Sequence, residues 1–284
     1  MHRKSLRAPG WPTSVVWLTV CLAPCLRINA QTPVPAWAFP GCLRSSAATV
    51  DADRPISVPD SAIRYTRAAI ANWSVTVDWF PKEHAVLPPV LAASRVPAKP
   101  ACGYCHLADG TGRPENAKLA GLPAAYIVAQ VHALHAGMRA AAAPGWLPTT
   151  LMRNATAELT EEEIGAAAAY FSEQRPRSFV TVVEQAEVPL YETACFVYRP
   201  MTESADSRHP NHSAAGPRLP TVPLESAIIE LPASFERFEA RDPHVAYTAY
   251  VPPGSIARGR RLARGASPNG VRFSSPLSCS ILRG

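Results

Sequence analysis

Cys102-Gly103-Tyr104-Cys105-His106 is the stretch on which the reading of this chain turns. Two thiols three residues apart fall on one turn of helix, and the next side chain is an imidazole. That spacing lets each thiol form a thioether with a haem vinyl group and sets the imidazole beneath the porphyrin; C-x-x-C-H reads as the attachment signature of a c-type haem. Cys102 and Cys105 are therefore the candidate covalent residues, and His106 the candidate proximal iron ligand. A thioredoxin-like Cys102/Cys105 dithiol is the competing reading. His106 directly after the pair and helical rather than βαβ surroundings disfavour it.

The flanking sequence has helical grammar from about 101 to 175. Asp109-Gly110-Thr111-Gly112 makes a turn after the motif. A helix is predicted from about Pro123 to Gly137, with Pro near its start and Gly beyond its end. Ile127, Val131 and Leu134 give it an apolar stripe. Pro144-Gly145-Trp146-Leu147-Pro148 reads as a loop that continues through Met152. A last helix opens on a capping box at Thr160-Glu161-Glu162-Glu163 and stops before Pro176. A second axial ligand is expected from the opposite side, and a soft thioether there favours ferrous iron. Met138, Met152 and Met201 are available once the N-terminal segment is set aside, and His132 and His135 stand as competitors.

Residues of about 100–175 resemble a class I cytochrome c domain, of the cytochrome c4 or c553-like kind. The resemblance rests on Cys102-x-x-Cys105-His106, Asp109-Gly110-x-Gly112, Lys118-Leu119-Ala120-Gly121, Ala125-Tyr126-Ile127, Gln130, Gly137-x-Arg139, Met152 and Leu159-Thr160-x-Glu162-Glu163-Ile164. In that family the ligand Met stands seven residues before the Leu of the last helix, which points to Met152 as the distal ligand. The resemblance implies a mainly α fold: a helical cytochrome c domain around one covalent haem c, then an irregular strand-containing C-terminal region. It implies electron transfer through a His106/Met152 haem iron, with transient redox proteins as partners. Leu119, Ala120, Tyr126, Ile127, Val131, Leu151, Tyr170 and Phe171 are the expected packing shell.

Two-haem relatives carry a strand-rich linker and a second cytochrome domain. Ala227-Ile228-Ile229-Glu230-Leu231-Pro232, Arg241-Asp242-Pro243-His244 and Tyr250-Val251-Pro252-Pro253-Gly254 resemble that linker. Leu277-Ser278-Cys279-Ser280-Ile281 stands where a second C-x-x-C-H would open, and Leu282-Arg283-Gly284 replaces its Cys-His. One haem is therefore expected rather than two. The expected organisation is a signal peptide over 1–30, a Pro-rich N-terminal arm over 31–93, a cytochrome c domain over 94–177, a strand and loop linker over 178–257, and a second-domain remnant over 258–284.

The remaining features bound the setting. Residues 1–30 carry a basic start, an apolar run from Val15 to about Leu26, and Ile28-Asn29-Ala30 as a cleavage site, the pattern of an exported protein. Export predicts a periplasmic location, or a membrane anchor where the signal stays uncleaved. Four basic residues belong to that segment and six arginines to 258–284, so the body between is slightly acidic despite a formal net charge of +6. That distribution argues against nucleic-acid binding and allows membrane or respiratory-complex association of the tail. Cys42 and Cys195 are candidates for a disulfide in an oxidising compartment. No second constellation supports catalysis: His84, His209, His212 and His244 stand apart from cysteines and paired carboxylates, and no small-molecule substrate is evident. The alternatives are a haem subunit of a periplasmic dehydrogenase or oxidase system, and a haem peroxidase or sensor with an open sixth site.

Overall fold

The computed structural model describes residues 34–42, 51–96, 98–201 and 220–265. The signal-like segment, His209, His212 and the remnant motif around Cys279 lie outside them. The chain runs through a short pair of strands, β1 (Pro55–Ile56) and β2 (Tyr65–Thr66), into helices α1 (Arg67–Ala71), α2 (Pro89–Ala92), α3 (Cys102–His106), α4 (Ala124–His135), α5 (Leu147–Thr156) and α6 (Glu161–Glu173). Strands β3 (Val180–Glu184), β4 (Glu187–Pro189), β5 (Tyr191–Ala194), β6 (Val197–Pro200), β7 (Thr221–Pro223) and β8 (Ile229–Pro232) follow, then helix α7 (Phe235–Glu239), strand β9 (Tyr247–Val251) and helix α8 (Ser255–Ala263). None of the described helices is long and apolar enough to cross a membrane.

This corrects the expectation of a mainly α fold. Among the described residues 32% are helical and 18% are in strands or bridges. The helices expected near the haem motif do form: α4 buries the Ile127, Val131 and Leu134 stripe, and Thr160 caps α6 in a reciprocal box with Glu163. The strand content comes from what lies beyond them. β9 alternates buried and half-buried residues and is the centre of a three-stranded sheet, paired in parallel with β3 and antiparallel with β8. Alternation of this kind is the period-two signal of a one-face-buried strand. Two further antiparallel pairs, β4 with β7 and β5 with β6, complete the strand region.

The N-terminal arm is anchored at several points. Within it α1 is a short helix, capped by Thr66 Oγ1, which accepts from the Ala69 N–H. Trp79 is almost fully buried with Val58, Ile70, Val77 and Phe80, and its indole N–H donates to the Ala240 carbonyl at 2.8 Å. Burial of an aromatic of this size contributes on the order of 2–3 kcal/mol, and the bonded N–H avoids the cost of an orphan donor. Cys42 and Cys195 form a disulfide that closes a span of 153 residues.

His84 ties the arm to α6. Its Nε2 lies 3.1 Å from Asp78 Oδ1, its Nδ1 lies 2.8 Å from the Ala85 carbonyl and 2.9 Å from the Tyr170 hydroxyl, and that hydroxyl donates to the Ala108 carbonyl. The hydrogen bond to Asp78, more than any other contact, raises the His84 pKa above its ordinary value, with burial opposing it. A raised pKa contributes stability that is whole below the unfolded value and fades as pH rises through the native one. His84→Ala should therefore cost more stability near pH ~5.5 than near pH ~8.5 in urea unfolding; an equal cost would remove the protonation-linked part. Replacing both Cys42 and Cys195 with Ser should lower stability by about 2–4 kcal/mol, read by thermal unfolding of chains prepared under oxidising conditions.

Candidate functional site

The haem motif forms α3, a single turn clamped from both sides. The Ala101 N–H at its start donates to the Trp73 carbonyl at 2.9 Å. A Cβ on Gly103 would stand 2.6 Å from Thr76 Oγ1 and 3.1 Å from the Leu91 carbonyl, so only glycine admits the arm this closely. His106, the last residue of the turn, is buried.

The loop after the turn is built to reach back to that imidazole. Leu107, Gly110 and Gly112 all adopt positive φ. Asp109 Oδ1 accepts both the N–H and the hydroxyl of Thr111, and the Gly112 N–H donates to the His106 carbonyl at 3.0 Å. A Cβ on Gly112 would lie 2.6 Å from the Ala117 carbonyl oxygen. That same oxygen accepts a 2.8 Å hydrogen bond from His106 Nδ1. Donation from Nδ1 fixes the tautomer and leaves the Nε2 lone pair free. His106 Nε2 is buried and has no partner among the protein groups. Burial lowers the imidazole pKa, against a smaller opposing effect of the Ala117 bond, so the ring is neutral and available as a ligand.

His106 lines a cavity of about 1080 Å³, as do Cys102, Cys105 and Met152. That volume is at the upper end of small-molecule and cofactor sites, which run from ~300 to ~1,000 Å³. Cys102 and Cys105 carry free thiols. Burial foremost, and the neighbouring Cys105 next, push the Cys102 thiol up to about 12. Burial also raises Cys105, while Arg241 and Arg113 partly offset it. Both sulfurs are held as thiols, not as reactive thiolates.

Met152 sits on α5, not on the loop expected there. Pro148 in the first turn is the reason: its fixed φ suits a helix start and its missing N–H costs nothing at that place. The other described methionines do not line the cavity: Met138 is 76% exposed and Met201 lies beyond β6. His132 pairs with Glu161 at 3.0 Å, and His135 Nε2 lies 2.8 Å from the Thr156 carbonyl; neither lines the cavity. Leu119, Tyr126, Ile127, Val131 and Leu151 of the expected shell line it, whereas Ala120, Tyr170 and Phe171 are buried in the core outside the lining.

Sequence reasoning missed how much of the wall comes from outside 94–177. Arg67 and Trp73 reach in from the arm, and Arg199, Phe235, Phe238 and Arg241 from the C-terminal region. The Arg241 guanidinium lies 3.3 Å from the Tyr104 ring centroid and donates to the Tyr104 carbonyl at 2.7 Å. Burial, and the nearby Arg113, bring its pKa down to about 10. No local pattern in the sequence signals this contact, which joins residues 137 apart.

The donor set was tested against a haem. Among the described residues no three His, Cys, Asp or Glu side chains converge on a bare metal ion. A single buried, unpartnered imidazole nitrogen beside two free thiols suits instead a metal already held in a macrocycle. The residues fit the group.

No protein-family model matches the chain, and no curated protein does. Among solved structures, the chain is similar to cytochrome c4 from Pseudomonas stutzeri, at 30% identity over 28% of this chain and 40% of that one, with a TM-score of 0.24. It is also similar to a thiosulfate dehydrogenase from Marichromatium purpuratum, at 33% identity over 31% of this chain and 18% of that one, with a TM-score of 0.25. The chain thus spans less than half the length of either.

Gly112→Ala should cost about 1–3 kcal/mol in chemical denaturation, because a Cβ there meets both a positive φ and the Ala117 carbonyl. A neutral outcome would mean that the turn relaxes freely and does not brace His106.

Proposed function

We propose that this chain is an electron-transfer c-type cytochrome carrying one covalent haem. The observation that carries the reading is the His106 imidazole, anchored through Nδ1 with a buried, unpartnered Nε2, on the wall of a cavity that Cys102 and Cys105 also line. When bound, the haem supplies an iron that takes up and releases one electron.

The residues divide the work of holding it. Cys102 and Cys105 would hold the haem covalently through two thioethers. His106 is the proximal ligand, oriented by the Ala117 carbonyl. Met152 is the distal ligand; its place on the cavity wall supports this, as does the absence of Met138 and Met201 from that wall. Leu119, Ile127, Val131 and Leu151 exclude water and keep the surroundings apolar, which sets the potential together with the ligand pair. Held by His106 and Met152 together, the group would serve electron transfer, and its partners would be redox proteins met in small, transient encounters.

The Cys42–Cys195 disulfide supports an oxidising compartment, in keeping with the signal-like N-terminus and a periplasmic location. Association with a membrane or a respiratory complex would run through the arginines of α8 and the tail.

The test is expression with a c-type haem maturation system, followed by a pyridine haemochrome spectrum against protein concentration. One covalent haem per chain is the expected result; none would overturn the reading. Met152→Ala should abolish the long-wavelength sulfur-to-iron band of the ferric protein and lower the reduction potential. Retention of that band would assign the sulfur to another residue, and its absence from the unmodified chain would favour an open sixth site.

A further inference from the structure

Helix α5, which carries Met152, is held differently at its two ends. At the C-terminal end Thr156 is buried, its hydroxyl donates to the Met152 carbonyl at 3.0 Å, and His135 Nε2 lies 2.8 Å from the Thr156 carbonyl. At the N-terminal end stands Trp146, whose indole has an N–H to give but no oxygen to accept from the first turn. Packing takes the place of a cap. The indole meets two phenyl rings edge to face, Phe39 at 5.2 Å and Phe196 at 5.3 Å between centroids. A covalent link ties those two rings together: Phe39 stands three residues before Cys42, Phe196 directly follows Cys195, and Cys42 and Cys195 form the disulfide. The Phe196 N–H also donates to the Gly41 carbonyl at 3.2 Å. Cys195 and Phe196 are the turn between β5 and β6, with φ of 40° and 74°. Residues other than glycine keep such left-handed backbone where their surroundings dictate it. Trp146, Cys195, Phe196 and Met152 all line the cavity.

We propose that the Cys42–Cys195 disulfide, acting through Phe39 and Phe196 on Trp146, is the clamp that holds α5 where Met152 can stand as the distal ligand. The inference rests on the haem reading above and adds to it the residues that position the ligand. A thioether is a neutral, weak donor on a flexible side chain, so its hold on a metal depends on how firmly its backbone is placed beforehand. Met152 lies six residues beyond Trp146, about 9 Å along the helix, so displacement of the Trp146 end is felt at the sulfur. The side chains of α5 anchor that end weakly: Leu147 is 44% exposed, and Leu151 and Met152 are half-buried. Cys42 and Cys195 are themselves exposed, so the link adds no core packing of its own and acts through the rings it ties. Phe39, Trp146 and Phe196 are positioning residues for the distal ligand.

The test uses the full chain with covalent haem and three readouts: the ferric sulfur-to-iron band, the reduction potential, and the affinity of the ferric protein for imidazole, which competes with Met152. Trp146→Ala removes both edge contacts and should weaken the band, lower the potential and raise imidazole affinity about tenfold. Trp146→Phe keeps a ring and should restore most of all three. Cys42→Ser with Cys195→Ser should move them in the same direction as Trp146→Ala. His84→Ala loosens the arm against α6 rather than α5 and should leave imidazole affinity unchanged, which separates positioning from a general loss of stability. Imidazole affinity in the disulfide-free chain equal to that of the unmodified chain would overturn the proposal, and so would an equal rise in His84→Ala. Where the disulfide-free chain takes up no haem, Phe39→Leu decides, and an unchanged affinity there overturns it. No covalent haem, or no sulfur-to-iron band in the unmodified chain, removes the ligand reading and this proposal with it, whereas a band indifferent to the clamp sinks this proposal alone.

Discussion

The hydrogen bond from His106 Nδ1 to the Ala117 carbonyl is the contact around which the site is organised. An imidazole has two nitrogens, and only one that is committed elsewhere leaves the other unprotonated and aimed. The commitment is made by eleven residues of chain folded back on themselves. Gly110 and Gly112 supply the left-handed turns, Asp109 and Thr111 brace them, and Gly121 closes the loop by donating from its N–H to the Phe171 carbonyl at 3.0 Å. A side chain on Gly110 would press on Phe171 and on the Ala120 backbone, so the loop is also fitted against α6. Local backbone geometry and the core of the helical region are therefore one arrangement.

That region was legible because its signals are short-range. A motif with fixed spacing, a capping box and an i, i+4, i+7 stripe each declare themselves within a dozen residues, and α3, α4 and α6 formed where those patterns lie. α5 was misread because Pro148 was taken as a break, when a proline in the first turn is a start. The mainly α expectation failed for a related reason. It extended the character of one region to a chain whose other segments are strands, and the alternation in Tyr247–Val251 was visible without being weighed. What no local pattern carries is the wall contributed by the arm and by Phe238 and Arg241, the last bonded to Tyr104 across 137 residues.

The arm and the C-terminal region meet in two distinct ways. Trp79 donates to Ala240 within an apolar cluster, and His244 stacks on Phe80 while its Nε2 lies 2.9 Å from Glu83 Oε2. The cavity thereby acquires walls of mixed chemistry: mainly apolar side chains from α4 and α5, and aromatic side chains together with arginines from the arm and the C-terminal region.

The sequence distance spanned by these closures sets an order of assembly. The indole of Trp79 cannot find its acceptor until a chain 161 residues longer has been made, and the disulfide waits on a span of 153. The turn bearing Cys102, Cys105 and His106, with α4 and α6 against it, depends on much shorter separations and so forms early. As the chain folds, the thiols and the imidazole are therefore presented on a half-built surface, open on the sides that Arg241 and Phe238 later occupy. The side of the cavity that closes last is thus the one formed by the segments that carry Arg241 and Phe238.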